Sequence, residues 1–455
     1  MTNSADRSSN GIKAKLNALH QRMGDFWWYS LMLFLACRFA DALNAFVGLW
    51  LVPKYVPPSE LGAVMPLMQF ASFLAIPIAA FSNTFRNELT RLSVNKEFGK
   101  LKTLMRGVFI SSAVFLFLAI IIARLIMPAF LERIRIVEGS LGLIIIATSF
   151  VSAVSPIYSN ALQSLKKFKA QSVISIIGAP IRLFAMLVTM PFRALSGYFI
   201  GQASIPIFSM TASVIALKKE LSVKAEPYWE KETVKKFSRL FAIFLAWSLS
   251  GSFCTLIEAT ILRQRLSDLD SAGFYMATRF SEIAGFLSAT LVFTIFPFAA
   301  EKSANNQDSR PLIFKSIIVS LTFSILLALP FLFFGKEILL LLPNGNLYSN
   351  YWWSIPWLIG INVLGTINAL FTTTEISCYR FGFLKWMIPL ECAYPLLLLV
   401  TTGHGYFTAY IPSSWSCFLI SHNIYNLDTM LWWMTAIGAI KSTACITSMF
   451  RHKSN

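Results

Sequence analysis

Charge is scarce in this chain: Asp, Glu, Lys and Arg make up 13% of 455 residues, where a soluble domain carries about a quarter. No polar break between apolar runs exceeds about 26 residues, and an independent soluble domain needs about 50. That excludes a water-soluble body or an appended soluble domain. Cysteine is sparse, six residues at positions 37, 254, 378, 392, 417 and 445 with no CxxC, which excludes a disulfide framework and a thiolate zinc site. These thiols read as apolar filler. Of four histidines, His404 and His422 share one loop without an acidic or cysteine partner at ligand spacing, so no metal site is expected. The chain lacks a GxxxxGK[ST] loop, and no Ser/His/Asp or paired-carboxylate arrangement is apparent. Neither an enzyme nor a cofactor is expected. Acidic residues are fewer than basic ones, 22 against 39, for a net charge of +17. The basic residues alternate between loops and form no continuous patch, which argues against a nucleic-acid partner.

What the chain does have is apolar sequence, 56% of the total, in runs of about 20 residues, the length of a membrane span. They lie near 26–52, 61–85, 106–129, 140–163, 171–191, 196–217, 240–262, 271–299, 312–334, 351–374, 384–402 and 429–450. The expected fold is therefore an all-α integral membrane protein of about 12 transmembrane helices. Residues 1–25 form a polar, basic leader in which Ile12, Leu16, Leu19 and Met23 recur near helical spacing beside Lys13, Lys15 and Arg22, as in a helix lying on an anionic leaflet. The first apolar run exceeds the core of a cleaved signal peptide and is expected to be retained.

Lys and Arg in alternate loops set the orientation. With the N-terminus in the cytoplasm, that side holds about 27 basic residues and the other about seven, Lys54, Arg133, Arg135, Arg193, Arg263, Arg265 and Lys336. Both termini are expected in the cytoplasm. The most charged break, 218–239, follows six spans and precedes six more, so residues 26–217 and 240–455 are expected to be two six-helix lobes joined by a cytoplasmic linker. A faint repeat agrees: Leu61, Gly62, Met65, Phe70 and Phe85 are echoed by Ala272, Gly273, Met276, Phe280 and Phe296. Parallel halves of this kind occur in transporters, with the substrate site between them.

An ionisable side chain at mid-bilayer costs about 2.5–3.5 kcal/mol, so each one needs a reason and a partner. Arg38 and Asp41 are three residues apart on one face of the first span, and Arg279 and Glu282 repeat that spacing in the eighth. These are either internal pairs that stitch helices, or, together with Arg86 and Arg182, an electropositive chamber between the lobes. Guanidinium suits the second role, because its planar fork grips two phosphate oxygens and its charge survives desolvation. An anionic substrate then follows, helped outward by the membrane potential. Arg124 and Lys441 lie close enough to the interfaces to snorkel. Glu258 and Glu391 have no local partner and are open to a proton or cation role. Pro77, Pro180 and Pro297 are candidate kinks, and Trp352, Trp353, Trp357, Trp432 and Trp433 read as interfacial belt residues.

Three stretches carry a family resemblance. They are Gly48–Gly62 (GLWLVPKYVPPSELG), Ala161–Ala170 (ALQSLKKFKA), and Ala272–Phe280 (AGFYMATRF) running on to Phe296 and Pro297. Each is similar to a segment of the polysaccharide flippases of the multidrug/oligosaccharidyl-lipid/polysaccharide exporter superfamily, the Wzx-type O-antigen transporters. The resemblance implies a MATE-like fold in the bacterial inner membrane and an undecaprenyl-diphosphate-linked oligosaccharide as substrate. It implies alternating access around a cationic lumen, with Arg38 and Arg279 in the spans where related flippases carry lumenal arginines. With Arg86 and Arg182, read from their positions, these are the expected substrate ligands. Coupling to an ion or proton, usual in the superfamily, makes Asp41, Glu258 and Glu282 its candidates. Membrane lipids, a polysaccharide polymerase and glycosyltransferases would be the partners. The alternatives are a lipid II flippase, a multidrug or cation antiporter of the same fold, and an O-antigen polymerase or ligase. For the last, the outer loop Gly403–Asp428 lacks the basic residues such enzymes use.

Overall fold

In hydrocarbon a backbone N–H or C=O finds no water, so a chain this apolar satisfies its peptide groups within helices. The computed structural model describes residues 35–165, 167–228, 231–304, 307–377, 380–401 and 427–451. The basic leader and the loop bearing His404 and His422 lie outside them. Among the described residues no strand occurs, and each of the twelve expected spans coincides with a helix.

These helices are α1 (Leu35–Tyr55, with a π-helical stretch Val47–Leu51), α2 (Val64–Val94), α3 (Phe98–Arg133) and α4 (Gly139–Ser164). One helical stretch, Phe168–Ala216, is broken at Arg193 and Ala194, where φ of Ala194 is 32°. Its arms are α5 (168–192) and α6 (195–216), folded back so that Thr189 Oγ1 donates to the Gly197 carbonyl at 2.7 Å. The second half comprises α7 (Lys231–Arg265), α8 (Asp268–Ala304), α9 (Arg310–Leu340), α10 (Ser354–Ser377), α11 (Leu384–Thr401) and α12 (Leu427–Arg451). Eight described stretches are apolar and long enough to cross a membrane, one of them holding both α5 and α6. The remaining three, α8, α11 and α12, carry Arg279 with Glu282, Glu391 and Lys441, which dilute their apolar runs. Several helices outrun the apolar segment that marks them, because a helix satisfies its own backbone in water as well as in lipid. Helical geometry continues through Pro77 and Pro180. The backbone leaves it at Arg193–Ala194 and at Phe334, one turn after Pro330.

Packing divides the helices into two groups. α2 packs on α3 and α4, and α4 on the α5–α6 hairpin; in the second group α8 packs on α10, α10 on α9 and α12, and α11 on α7 and α12. α2 and α7 run together across the division, with Phe81 against Phe241 at 5.0 Å and Phe85 against Phe237 at 4.5 Å between ring centres. α8 meets α1 and the turn Pro58–Leu61. At the end holding the α1–α2, α3–α4 and α7–α8 connections, both groups share one buried core that includes Leu61, Leu67, Ile134, Tyr275, Phe280 and Ile355. Toward the opposite end the core splits, one part around Phe85, Leu101 and Leu217, the other around Ile313, Leu370 and Phe371. The groups share one core at one end, the fused end; toward the other, divergent end their cores separate, although α2 and α7 still touch there through Phe85 and Phe237.

The linker sits at the divergent end. It holds a short helix, Lys218–Leu221, and then docks on the start of α3. There Glu226 N donates to the Gly99 carbonyl at 3.2 Å, and Lys102 Nζ to the Val223 carbonyl at 3.0 Å.

Candidate functional site

The α1–α8 seam brings ionisable side chains from both groups together. On α1 the Arg38 guanidinium pairs with Asp41 at 3.0 Å and also donates to the carbonyl of Phe286 on α8, whose ring it overlies at 5.8 Å. Two turns away on α8, Arg279 pairs with Glu282 at 2.8 Å and lies 5.0 Å over the Tyr275 ring. The i, i+3 spacing gives both pairs directly. Close approach of the two helices depends on Gly48 of α1, where a Cβ would stand 3.0 Å from Arg279 Cδ.

α5 contributes Arg182, which is buried, reaches Gln202 Oε1 of α6 at 3.5 Å and lies within electrostatic range of Asp41. Gln202 Nε2 donates to Tyr198 Oη at 2.8 Å, and Tyr198 Oη and Arg279 both touch Met68 Sδ of α2, at 3.3 and 3.7 Å. A continuous polar path therefore links α5, α6, α2 and α8. Three guanidiniums stand against two carboxylates, and the Nε–H groups of Arg182 and Arg279 are buried with no hydrogen-bond partner among the described residues. A buried charged donor left open is costly unless something occupies it. The side chain of Arg86, the fourth expected ligand, lies outside the described ones, as does that of Pro297.

Glu258 is not part of this site. It lines a separate cavity of about 430 Å³ among α7, α10, α11 and α12, together with Glu391 and Lys441. One expectation is corrected here, that Lys441 snorkels, and Glu391, which has no local partner, has a distant one. Lys441 Nζ bonds Glu391 Oε2 at 2.7 Å with both side chains largely buried, a pairing across fifty residues of sequence that spacing cannot reveal. Arg124, by contrast, is exposed on α3, as snorkelling requires. Trp357 departs from the belt reading: its Nε1–H donates to Thr435 Oγ1 at 2.7 Å, inside the α10–α12 contact, whereas Trp432 is exposed. The four described cysteines are free thiols, and Cys254 and Cys392 touch at 3.7 Å.

At the fused end lies a cluster that loop counting concealed. Arg263, at the end of α7, is only 1% exposed. It donates to the carbonyls of Ile134 and Ser59, at 3.2 and 2.5 Å, and pairs with Asp268 at 2.9 Å. From the other group Arg135 pairs with Asp268 at 2.9 Å and donates to the carbonyls of Arg263 and Leu266, capping the C-terminus of α7. Gly62 admits Ser271 at the same seam, where a Cβ would meet the serine side chain at 2.5 Å. The clue in the sequence was the coincidence of basic residues on two loops of one side, Arg133 with Arg135 and Arg263 with Arg265.

No family model matches the sequence, and no curated protein matches it significantly. The fold is similar to solved structures across nearly its whole length. One is the outward-facing conformation of a multidrug resistance MATE family transporter of the MOP superfamily (TM-score 0.63, 11% identity, 94% of this chain and 95% of that one). A second is the inward-facing conformation of a MATE family transporter of that superfamily (TM-score 0.54, 14% identity, 89% and 96%). A third is the lipid II flippase MurJ in an inward closed conformation (TM-score 0.63, 14% identity, 92% and 87%). The chain has a MATE-like all-α membrane fold.

Proposed function

We propose that this protein is a flippase that carries an undecaprenyl-diphosphate-linked oligosaccharide from the cytoplasmic to the outer leaflet of the bacterial inner membrane, for O-antigen, capsule or exopolysaccharide assembly. The observation that carries this reading is that Arg38 and Arg279 both lie along the α1–α8 seam, with Arg182 linked to Arg279 through Gln202, Tyr198 and Met68 and within electrostatic range of Asp41, and that buried guanidinium donors stay open on Arg182 and Arg279. A diphosphate supplies the oxygens those donors want, and planar guanidiniums hold it at two points. The divergent end faces the cytoplasm, with both termini, and admits the headgroup while the polyprenyl tail stays in lipid. Asp41 and Glu282 hold their arginines until substrate arrives, and release them as they take up a proton. The potential adds about 2.3 kcal/mol per charge per 100 mV in the outward direction.

The kinship of fold with a lipid II flippase supports a second substrate of the same chemistry, since lipid II is also a polyprenyl-diphosphate saccharide. Cationic drugs fit less well, because the arginines outnumber the acids at the seam.

Surface display of the glycan in a strain lacking the wild-type protein tests the reading, with the membrane abundance of each variant checked by blot. Arg279→Lys keeps the charge but loses the fork. The loss of one charged hydrogen bond, about 1.5–3 kcal/mol, cuts transport roughly 10- to 150-fold. Arg279→Ala abolishes it. If Arg279 serves only to neutralise Glu282, lysine suffices and the double change Arg279→Ala with Glu282→Ala restores activity, which rejects the substrate role. Rescue of a strain depleted of its lipid II flippase, without rescue of glycan display, selects the second substrate.

A further inference from the structure

The ends of α5 and α6 next to the linker leave a groove that the proposed transport cycle does not use. Farther in, the two helices lie close, so that a Cβ added at Gly178 would stand 3.6 Å from Phe208 Cδ1. Toward their ends Ala170, Val173 and Ile174 of α5 face Ala212, Ile215 and Ala216 of α6 across a groove of about 520 Å³. Each set follows i, i+3, i+4 spacing and so forms one stripe on its helix, and the alanines supply too little side chain to fill the space between. Val173 and Ile215 are 45% and 68% exposed, which on a membrane span is exposure to hydrocarbon. Lysines rim the groove. Lys167 Nζ crosses from the start of α5 to the end of α6, where it donates to the Ala216 carbonyl at 2.7 Å and pairs with Glu220 at 2.8 Å. Lys169 also lines the groove, is exposed, and makes no ion pair among the described residues. Lys218 and Lys219, directly after α6, are exposed likewise. Across 167–174 and 212–220, these four lysines stand against Glu220, which Lys167 already holds.

We propose that this groove binds an anionic phospholipid of the cytoplasmic leaflet, with one acyl chain between the alanine stripes and the phosphate headgroup held by Lys169, Lys167 and the lysines that follow α6. Two properties select this occupant. The walls are apolar and open sideways into hydrocarbon, as an acyl chain requires. The cations cluster at one end of the groove, at the level where an interfacial lysine keeps its ammonium in water while its stem lies on apolar surface. Basic pockets between spans on the cytoplasmic side suit anionic headgroups, and each lysine near the surface adds to the attraction. A lipid with a neutral headgroup would fill the walls and leave the lysines without an anion. The anionic lipid bridges α5 and α6, the hairpin that also carries Arg182 and Gln202, and so steadies the helices behind the arginine seam. The proposal depends on the membrane fold and on the orientation given above, and not on the identity of the cargo.

Photolabelling of the full-length protein in phosphatidylcholine nanodiscs tests this without transport or substrate. The probe is phosphatidylglycerol with a photoreactive acyl chain, added as a minor component, and phosphatidylethanolamine with the same chain is the control. Peptides covering 168–177 and 207–217 are expected to take up the first probe about fivefold or more over the second. Lys169→Gln, an exposed change that leaves Lys167 and Glu220 paired, is expected to cut phosphatidylglycerol labelling about fivefold and to leave the control unchanged. Ala212→Leu fills the groove and is expected to cut labelling by both probes. Equal labelling by the two headgroups overturns the proposal, as does preferential labelling elsewhere on the chain. A folded Lys169→Gln variant that keeps the full preference also overturns it. Crosslinks between two copies of the chain through these peptides, in place of lipid label, reject the lipid for a contact between copies.

Discussion

Arg135 is the most informative side chain to remove from the fused end. It stands in the turn between α3 and α4 at φ 62° and sends its guanidinium across the seam to three acceptors, Asp268 and the carbonyls of Arg263 and Leu266. Arg135→Ala deletes all three contacts while Arg263 keeps Asp268, so no buried charge is stranded. The Arg135–Asp268 pair is nearly half exposed, 43% and 44%, and contributes about 0–1 kcal/mol. The contacts to the carbonyls at the end of α7 are charge-assisted and partly buried, and contribute about 1.5–2 kcal/mol together. The sum, about 1.5–3 kcal/mol, raises the open fraction of this end roughly 12- to 150-fold if the contacts are lost on opening. A reporter lies at hand in Ser271, 5% exposed and packed on Gly62. In a background with the six cysteines replaced, Ser271→Cys in purified protein should react with a water-soluble maleimide far faster when Arg135→Ala is present. Arg135→Lys, which keeps the charge but not the fork, should fall between. A folded Arg135→Ala variant whose labelling rate rises less than about threefold refutes the idea that these bonds hold the end closed.

Three further outcomes are expected. Gly62→Ala places a Cβ 2.5–2.6 Å from the Ser271 side chain and 3.0 Å from its backbone carbon, which costs about 1–3 kcal/mol of overpacking and should lower the unfolding temperature while accelerating maleimide labelling at Ser271→Cys; unchanged stability would mean that the seam yields freely. Asp41→Asn, which fixes the partner of Arg38 in a neutral form, should slow flux in reconstituted vesicles more than it weakens substrate binding and flatten the pH dependence of flux, and normal flux across the pH range would leave Asp41 a structural partner. A reporter fused after Lys224 should be active in the cytoplasm and one inserted near Ser414 outside; both on one side would overturn the orientation.

The sequence alone determined the elements. Apolar runs mark the spans because lipid leaves the backbone no choice but the helix, and the Arg38–Asp41 and Arg279–Glu282 pairs were legible because three residues along a helix return a side chain to the same face. The break near residue 193 was legible because two apolar runs met there with too few polar residues for anything but a tight reversal. What the tertiary structure alone decided was which side chains meet across elements. Glu391 looked unpartnered until α12 laid Lys441 beside it, and Glu258, grouped with Asp41 and Glu282 by charge alone, belongs to a different cavity. Arg263 counted as one more charge in an outer loop until packing buried it against Ile134, Ser59 and Asp268. Helical periodicity is a local rule set by 3.6 residues per turn, whereas these contacts join residues up to 204 positions apart, and their identity depends on how each helix is rotated and tilted against its neighbours, which an apolar run does not encode.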